Sequence, residues 1–152
     1  MRHTSSIHKG FTIIEMLVVL ALFAVIAGFI IIGFRNFAGF QQFNQAVGTV
    51  EFTLEQTRLF ARSAVGDSAH GVKIGTSSLT QFVGDVYSVS DPDNVVVNFS
   101  LVTFTPNLVG GVDEIVFAKL TGLPSATGTV LVEGLNFSAS STIEMTDTGV
   151  IQ

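Results

Sequence analysis

Lys9-Gly10-Phe11-Thr12-Ile13-Ile14-Glu15-Met16-Leu17 is the stretch on which the reading of this chain turns. A short polar leader ends in Lys9-Gly10, and a long apolar run opens at Phe11. One carboxylate, Glu15, interrupts that run near its start. Charged groups inside a bilayer are costly and usually mark function. From Met16 to Phe34, 19 residues, there is no charge and no strongly polar side chain. As helix this run is about 28 Å long at 1.5 Å per residue, roughly the thickness of a hydrocarbon core. An ordinary signal peptide has a shorter apolar run followed by a small-residue cleavage pattern, and neither is found here. A plain signal anchor leaves Glu15 and the glycine before the phenylalanine without a role.

Charge sets the direction of the span. Arg2 and Lys9 precede it, with His3 and His8 adding to them when protonated, so the leader is expected in the cytoplasm and the rest of the chain beyond the membrane. Arg35 lies just past the span and weakens the asymmetry slightly. The formal net charge is −5, and losing residues 1–10 with Arg2 and Lys9 would leave −7. Hydrophobic residues make up 47% and charged residues only 12%, with much of the excess near the N-terminus. No cysteine is present, which excludes a disulfide framework and thiolate metal sites.

The helical pattern continues past the apolar run. Phe37, Phe40, Phe43, Val47, Val50, Leu54 and Ala61 recur at helical steps, which predicts one buried stripe. Glu55 and Arg58 are spaced to pair on the same helix. Proline is absent before Pro92, and Gly28, Gly33, Gly39 and Gly48 are the places where a helix would bend most easily. The simplest expectation is one helix from about Phe11 to about Val65, on the order of 80 Å long, ending with Gly66 as a C-cap.

After Gly66-Asp67-Ser68 the texture changes to short β-like runs between turn formers. Candidates are Val72–Ile74, a less regular Gln81–Val89, Val95–Val102, Ile115–Phe117 and Thr129–Val132. Thr142–Met145 and Val150-Ile151 are expected to close as a hairpin around Asp147-Thr148-Gly149. Residues 105–112 and 121–128 read as loops. Antiparallel strands packed on one helix give an α+β fold. The expected division is leader 1–10, membrane and assembly helix 11–35, amphipathic helix half 36–65 and β-rich domain 66–152.

The quoted stretch resembles the class III signal of type IV prepilins and type II secretion pseudopilins. The resemblance implies a pilin-like fold, cleavage after Gly10 by prepilin peptidase and N-methylation of Phe11. It implies assembly directed by Glu15, which would meet the new N-terminus of a neighbouring subunit. Its implied partners are the peptidase, other pilin or pseudopilin subunits, an inner-membrane assembly platform and the lipid bilayer. The implied location is the cytoplasmic (inner) membrane, single-pass, or an extracellular or periplasmic filament. Thr57–Val65 with Gly71–Ile74, and Phe117, Thr129–Val132, Ile143–Met145 and Gly149–Ile151, further resemble the GspH/FimT-type minor pseudopilins. Unlike many major pilins, the chain has no paired C-terminal cysteines and no proline in the membrane helix.

Enzyme chemistry has little to stand on. His70 is the only histidine outside the leader, there is no cysteine nucleophile, and Gly-x-Ser-x-Gly and Walker loops are absent. His70, at a helix end, reads as a surface or capping residue. Asp91-Pro92-Asp93-Asn94 carries oxygen ligands that suit calcium, but the same residues form turns, and the turn is the preferred reading. Asp113-Glu114 reads as the solvated start of a strand. No catalytic residue, metal or cofactor is expected. Arg35, Arg58, Arg62, Lys73 and Lys119 are scattered, so no nucleic-acid partner is expected. The expected function is a structural minor subunit of a pilus or pseudopilus. The alternatives are a major pilin, a filament-tip module for DNA uptake or adhesion, and a membrane-anchored enzyme.

Overall fold

With no proline to interrupt it, the N-terminal part forms one helix, α1, from Ile13 to Arg62. It runs through all four glycines named above. The structure, a computed structural model, describes residues 11–135, 138–149 and 151, with the side chains of residues 30–36 outside the description. Contacts divide the chain into two compact units, with the boundary between Phe37 and Ala38. Among the described residues no helix is long and apolar enough to cross a membrane. The expected span 16–34 falls partly outside them, because its last five side chains lie within residues 30–36.

In the second unit one stripe of α1 is buried: Phe43, Ala46, Val50, Leu54, Thr57 and Ala61. Their steps of three and four average to the helical repeat. Phe37 and Phe40 were expected on this stripe but are 60% and 44% exposed. Phe37 is six residues before Phe43, and at 100° per residue it points about 120° away from the stripe. Val47 is half-buried at its margin.

Among the described residues seven strands follow: β1 His70–Ile74, β2 Ser78–Val83, β3 Val95–Asn98, β4 Val102–Leu108, β5 Glu114–Phe117, β6 Gly128–Gly134 and β7 Ser140–Met145. They form a four-stranded sheet in the order β3-β2-β1-β5 and a three-stranded sheet in the order β4-β6-β7. Every pairing is antiparallel. Val72, Ile74, Leu79, Ile115 and Phe117 of one sheet join Val102, Phe104, Val130, Val132 and Ile143 of the other in a single core with the buried stripe of α1. The fold is therefore α+β and pilin-like, a helix packed on antiparallel sheets.

Three local expectations are corrected. Val95–Val102 is not one strand: the chain leaves the first sheet after Asn98 and enters the second at Val102. Phe99 packs edge-on against Phe104 at 5.0 Å in the crossing. Residues 105–108, expected in the loop 105–112, belong to β4, and Pro106 lies within that strand. Proline is tolerated there because β4 is an edge strand and its missing N–H leaves no ladder bond unmade. The helix ends at Arg62, and Ala64, at φ 50°, makes the left-handed exit that was assigned to Gly66. A short 3-10 turn, Val65–Asp67, follows. Of the closing hairpin, Met145 bridges Ile151, while Val150 lies outside the described residues.

Side-chain hydrogen bonds fix α1 on the sheets. Gln81 of β2 donates to the Thr57 hydroxyl at 2.8 Å, and Thr57 donates to the Thr53 carbonyl at 2.7 Å. Arg58 donates to the Thr148 carbonyl at 2.8 Å and to that of Gly122 at 3.3 Å. Gly122 and Gly149 both take positive φ against this arginine, and a side chain at Gly149 would sit 2.8 Å from Arg58 Nε. The Leu120 N–H donates at 2.9 Å to the Ala61 carbonyl, which also accepts from the Ala64 N–H at 3.0 Å, so the loop before β6 is tied to the helix end.

Candidate functional site

Thr12 begins α1. Its carbonyl accepts the first helical bond from the Met16 N–H at 3.2 Å. Its hydroxyl oxygen accepts from the Glu15 N–H at 3.3 Å. This is an N-cap, the side-chain oxygen satisfying one of the donors that a helix start leaves open. Phe11 and Thr12 lie outside the helix, and Phe11 is 77% exposed. The sequence reading passed over Thr12, although Thr-x-x-Glu is the capping-box pattern and was there to be found.

Glu15 sits in the first turn, where the positive end of the helix dipole favours a carboxylate. Only its backbone N–H is engaged by Thr12, and among the described residues the carboxylate meets no cation. Gly10 lies outside the described residues.

Every residue from Phe11 to Phe29 is exposed, and the large apolar side chains range from 41% at Val19 to 83% at Ile13. Among the described residues no face of this stretch is covered. A helix apolar on all sides is built to be surrounded by lipid or by other apolar helices. Water is a poor environment for so large a contiguous patch.

The remaining flagged residues resolve into structure. His70 is buried, not at the surface: it opens β1, and its Nε2 lies 2.9 Å from the Val65 carbonyl, with Phe60 at 5.8 Å between ring centroids. The short segment between α1 and β1 folds its carbonyl back onto the ring, and that contact holds the junction. Asp91 forms the expected turn, its carboxylate accepting from the Asp93 N–H at 2.9 Å. Asp113 and Glu114 are paired as well as solvated: Lys73 of β1 lies 2.5 Å from Asp113 and 3.9 Å from Glu114. That hydrogen bond holds the Asp113 carboxyl below its usual range. Lys119 hydrogen-bonds Asp67 and lowers its carboxyl in the same way. Glu55 and Arg58 pair as expected, at 3.7 Å. Among the described residues no group of three or more His, Asp or Glu could hold a metal ion.

Residues 6–31 match the family model described as the prokaryotic N-terminal methylation motif. The match supports a type IV pilin-like protein, a family of structural subunits. It implies processing by prepilin peptidase and assembly with other pilin subunits, and it suggests a membrane-anchored or filament location. No curated protein and no solved structure matches the chain.

Proposed function

We propose that this chain is a minor subunit of a type IV pilus or type II secretion pseudopilus, of the GspH/FimT type. Cleavage falls after Gly10, Phe11 is N-methylated, and the helix from residue 11 to residue 35 serves first as membrane anchor and then as assembly element. The observation that carries this reading is the helical stretch from Ile13 to Phe29, apolar and exposed on every side, with one carboxylate near its start that meets no cation among the described residues.

Each property of that helix has a use in this scheme. The apolar surface holds the subunit in the cytoplasmic membrane, with the β-rich domain on the non-cytoplasmic side. The same surface then packs against equivalent helices in the filament. Carrying a bare carboxylate into that setting is costly, and a partner amine from a neighbouring subunit offsets the cost and fixes the register. The leader presents the scissile bond on the cytoplasmic side, where the inner-membrane assembly platform also acts.

The rest of the chain supports a structural role. Arg58, Lys73 and Lys119 are engaged by the chain's own carboxylates. Few cations remain to neutralise phosphates, so nucleic acid is a poor ligand. His70 is engaged by the Val65 carbonyl at the helix–strand junction, and the Asp91 carboxylate by the N–H of its own turn.

Glu15→Val tests the proposal. The variant is expected to insert and to be cleaved, since removing a charge eases entry into lipid. It is expected to join filaments poorly in a sheared-filament assay against wild type. Equal incorporation of the two would refute the pairing of Glu15 with a neighbour.

A further inference from the structure

We infer that Thr12 is a positioning residue for leader cleavage: its side-chain oxygen fixes the first turn of α1 so that Phe11, the residue following the proposed cleavage point, stays outside the helix. This rests on the reading of the chain as a prepilin peptidase substrate. A peptidase needs its scissile peptide extended and accessible, because a bond inside a helix has its carbonyl committed to the ladder and its flanks wrapped.

The geometry supplies the register. Helical hydrogen bonding begins at the Thr12 carbonyl, and the Thr12 hydroxyl takes up the Glu15 N–H. Phe11 therefore stands one residue before the cap, non-helical and 77% exposed. In the apolar surroundings proposed for this end, an open first-turn N–H is more costly than in water. Without the Thr12 oxygen, the first turn gains by recruiting residues upstream or by fraying downstream. Either change moves Phe11 relative to the helix start. Gly10 alone does not fix the register: it disfavours helix at its own position but offers no acceptor to the open donors.

The claim separates the two chemistries of threonine. Thr12→Ser keeps the acceptor. Thr12→Val keeps the shape and removes the acceptor, and Thr12→Ala removes both. Full-length precursor in membrane vesicles would be incubated with purified prepilin peptidase and leader removal followed over time. Serine is expected to match wild type within about twofold. Valine and alanine are expected to slow cleavage about fivefold, which is ~1 kcal/mol, the usual worth of an N-cap. Amide exchange at Glu15 in micelles is expected to speed up in the valine and alanine variants and not in serine. A purely packing role for the methyl group predicts the opposite ranking, with valine like wild type and serine impaired.

Valine cut as fast as wild type overturns the proposal while leaving the peptidase reading intact. Glu15 exchange unchanged in valine overturns the capping basis. Wild type left uncut, with a known substrate cut in the same vesicles, removes the underlying reading and the proposal with it.

Discussion

The two apolar parts of α1 follow different rules. From Phe43 to Ala61 the apolar side chains keep to one stripe, and the chain's own sheets cover it. From Phe11 to Phe29 they face every direction, and among the described residues nothing covers them. The difference is one of periodicity. A stripe at 3.6-residue spacing needs one partner surface, which a chain can fold back to supply. An all-round apolar surface needs partners on every side, which only a solvent of lipid or a set of neighbouring helices can give. The stripe from Phe43 to Ala61 therefore contributes to folding, while the stretch from Phe11 to Phe29 is the part for which placement and assembly are proposed.

The comparison is broken most easily by paired truncations. Leu54 is 1% exposed and Leu20 is 63% exposed on the same helix. Leu54→Ala is expected to destabilise the β-rich unit by ~3 kcal/mol through lost burial and a residual cavity. Leu20→Ala is expected to change that unit's stability by less than about 0.5 kcal/mol. Denaturant unfolding of the detergent-solubilised protein, followed by a probe in the sheets, reads both. Equal losses would mean that the two parts are not distinct in role.

A smaller effect tests how the packed part ends. Ala64 takes a left-handed conformation at φ 50°. Left-handed backbone costs an L-residue ~1–2 kcal/mol, while glycine loses ~0.5–1 kcal/mol of extra chain entropy on folding. Ala64→Gly is therefore expected to stabilise by ~0.5 kcal/mol, about 2 °C in Tm for a unit of this size. A drop in Tm would show that the alanine methyl contributes more by packing than the backbone strain costs.

What was legible in the sequence follows the same division. The apolar run and the stripe were readable because both are periodic or continuous over many residues. β1, β5, β6 and the core of β7 were readable from short alternating runs. β4 was not legible: its residues 105–108 include Pro106, which fits a strand only at a sheet edge, and nothing local says where a strand will lie. The break between β3 and β4 was hidden because apolar alternation carries on while the chain changes sheets. Burial of His70 depends on a backbone carbonyl brought back by a three-residue turn, a contact with no signature in composition. At the candidate site, Phe11 and Glu15 stand out by their setting in the apolar run, whereas the cap formed by Thr12 is hidden inside a motif read for its ends.

The smallest effect concerns pH. Asp67 and Asp113 are held below the ordinary carboxylate range by hydrogen bonds from Lys119 and Lys73. A lowered folded pKa adds stability that is present above the unfolded value of about 3.9 and lost as pH falls through the folded values. Both groups are exposed, so screening keeps the contribution slight. Acid titration of the unfolding transition should show a weak loss below about pH 4. Lys73→Met and Lys119→Met together should flatten it. An unchanged acid slope in the double variant would place the loss elsewhere.

The central claim, that residues 1–10 are a leader and Phe11 opens an assembly helix, is tested most directly by intact-mass measurement of the protein extracted from membranes or sheared filaments. The account predicts a chain beginning at Phe11 and carrying one added methyl group, with Gly10→Leu retaining the leader. A mature N-terminus at any other residue would contradict it.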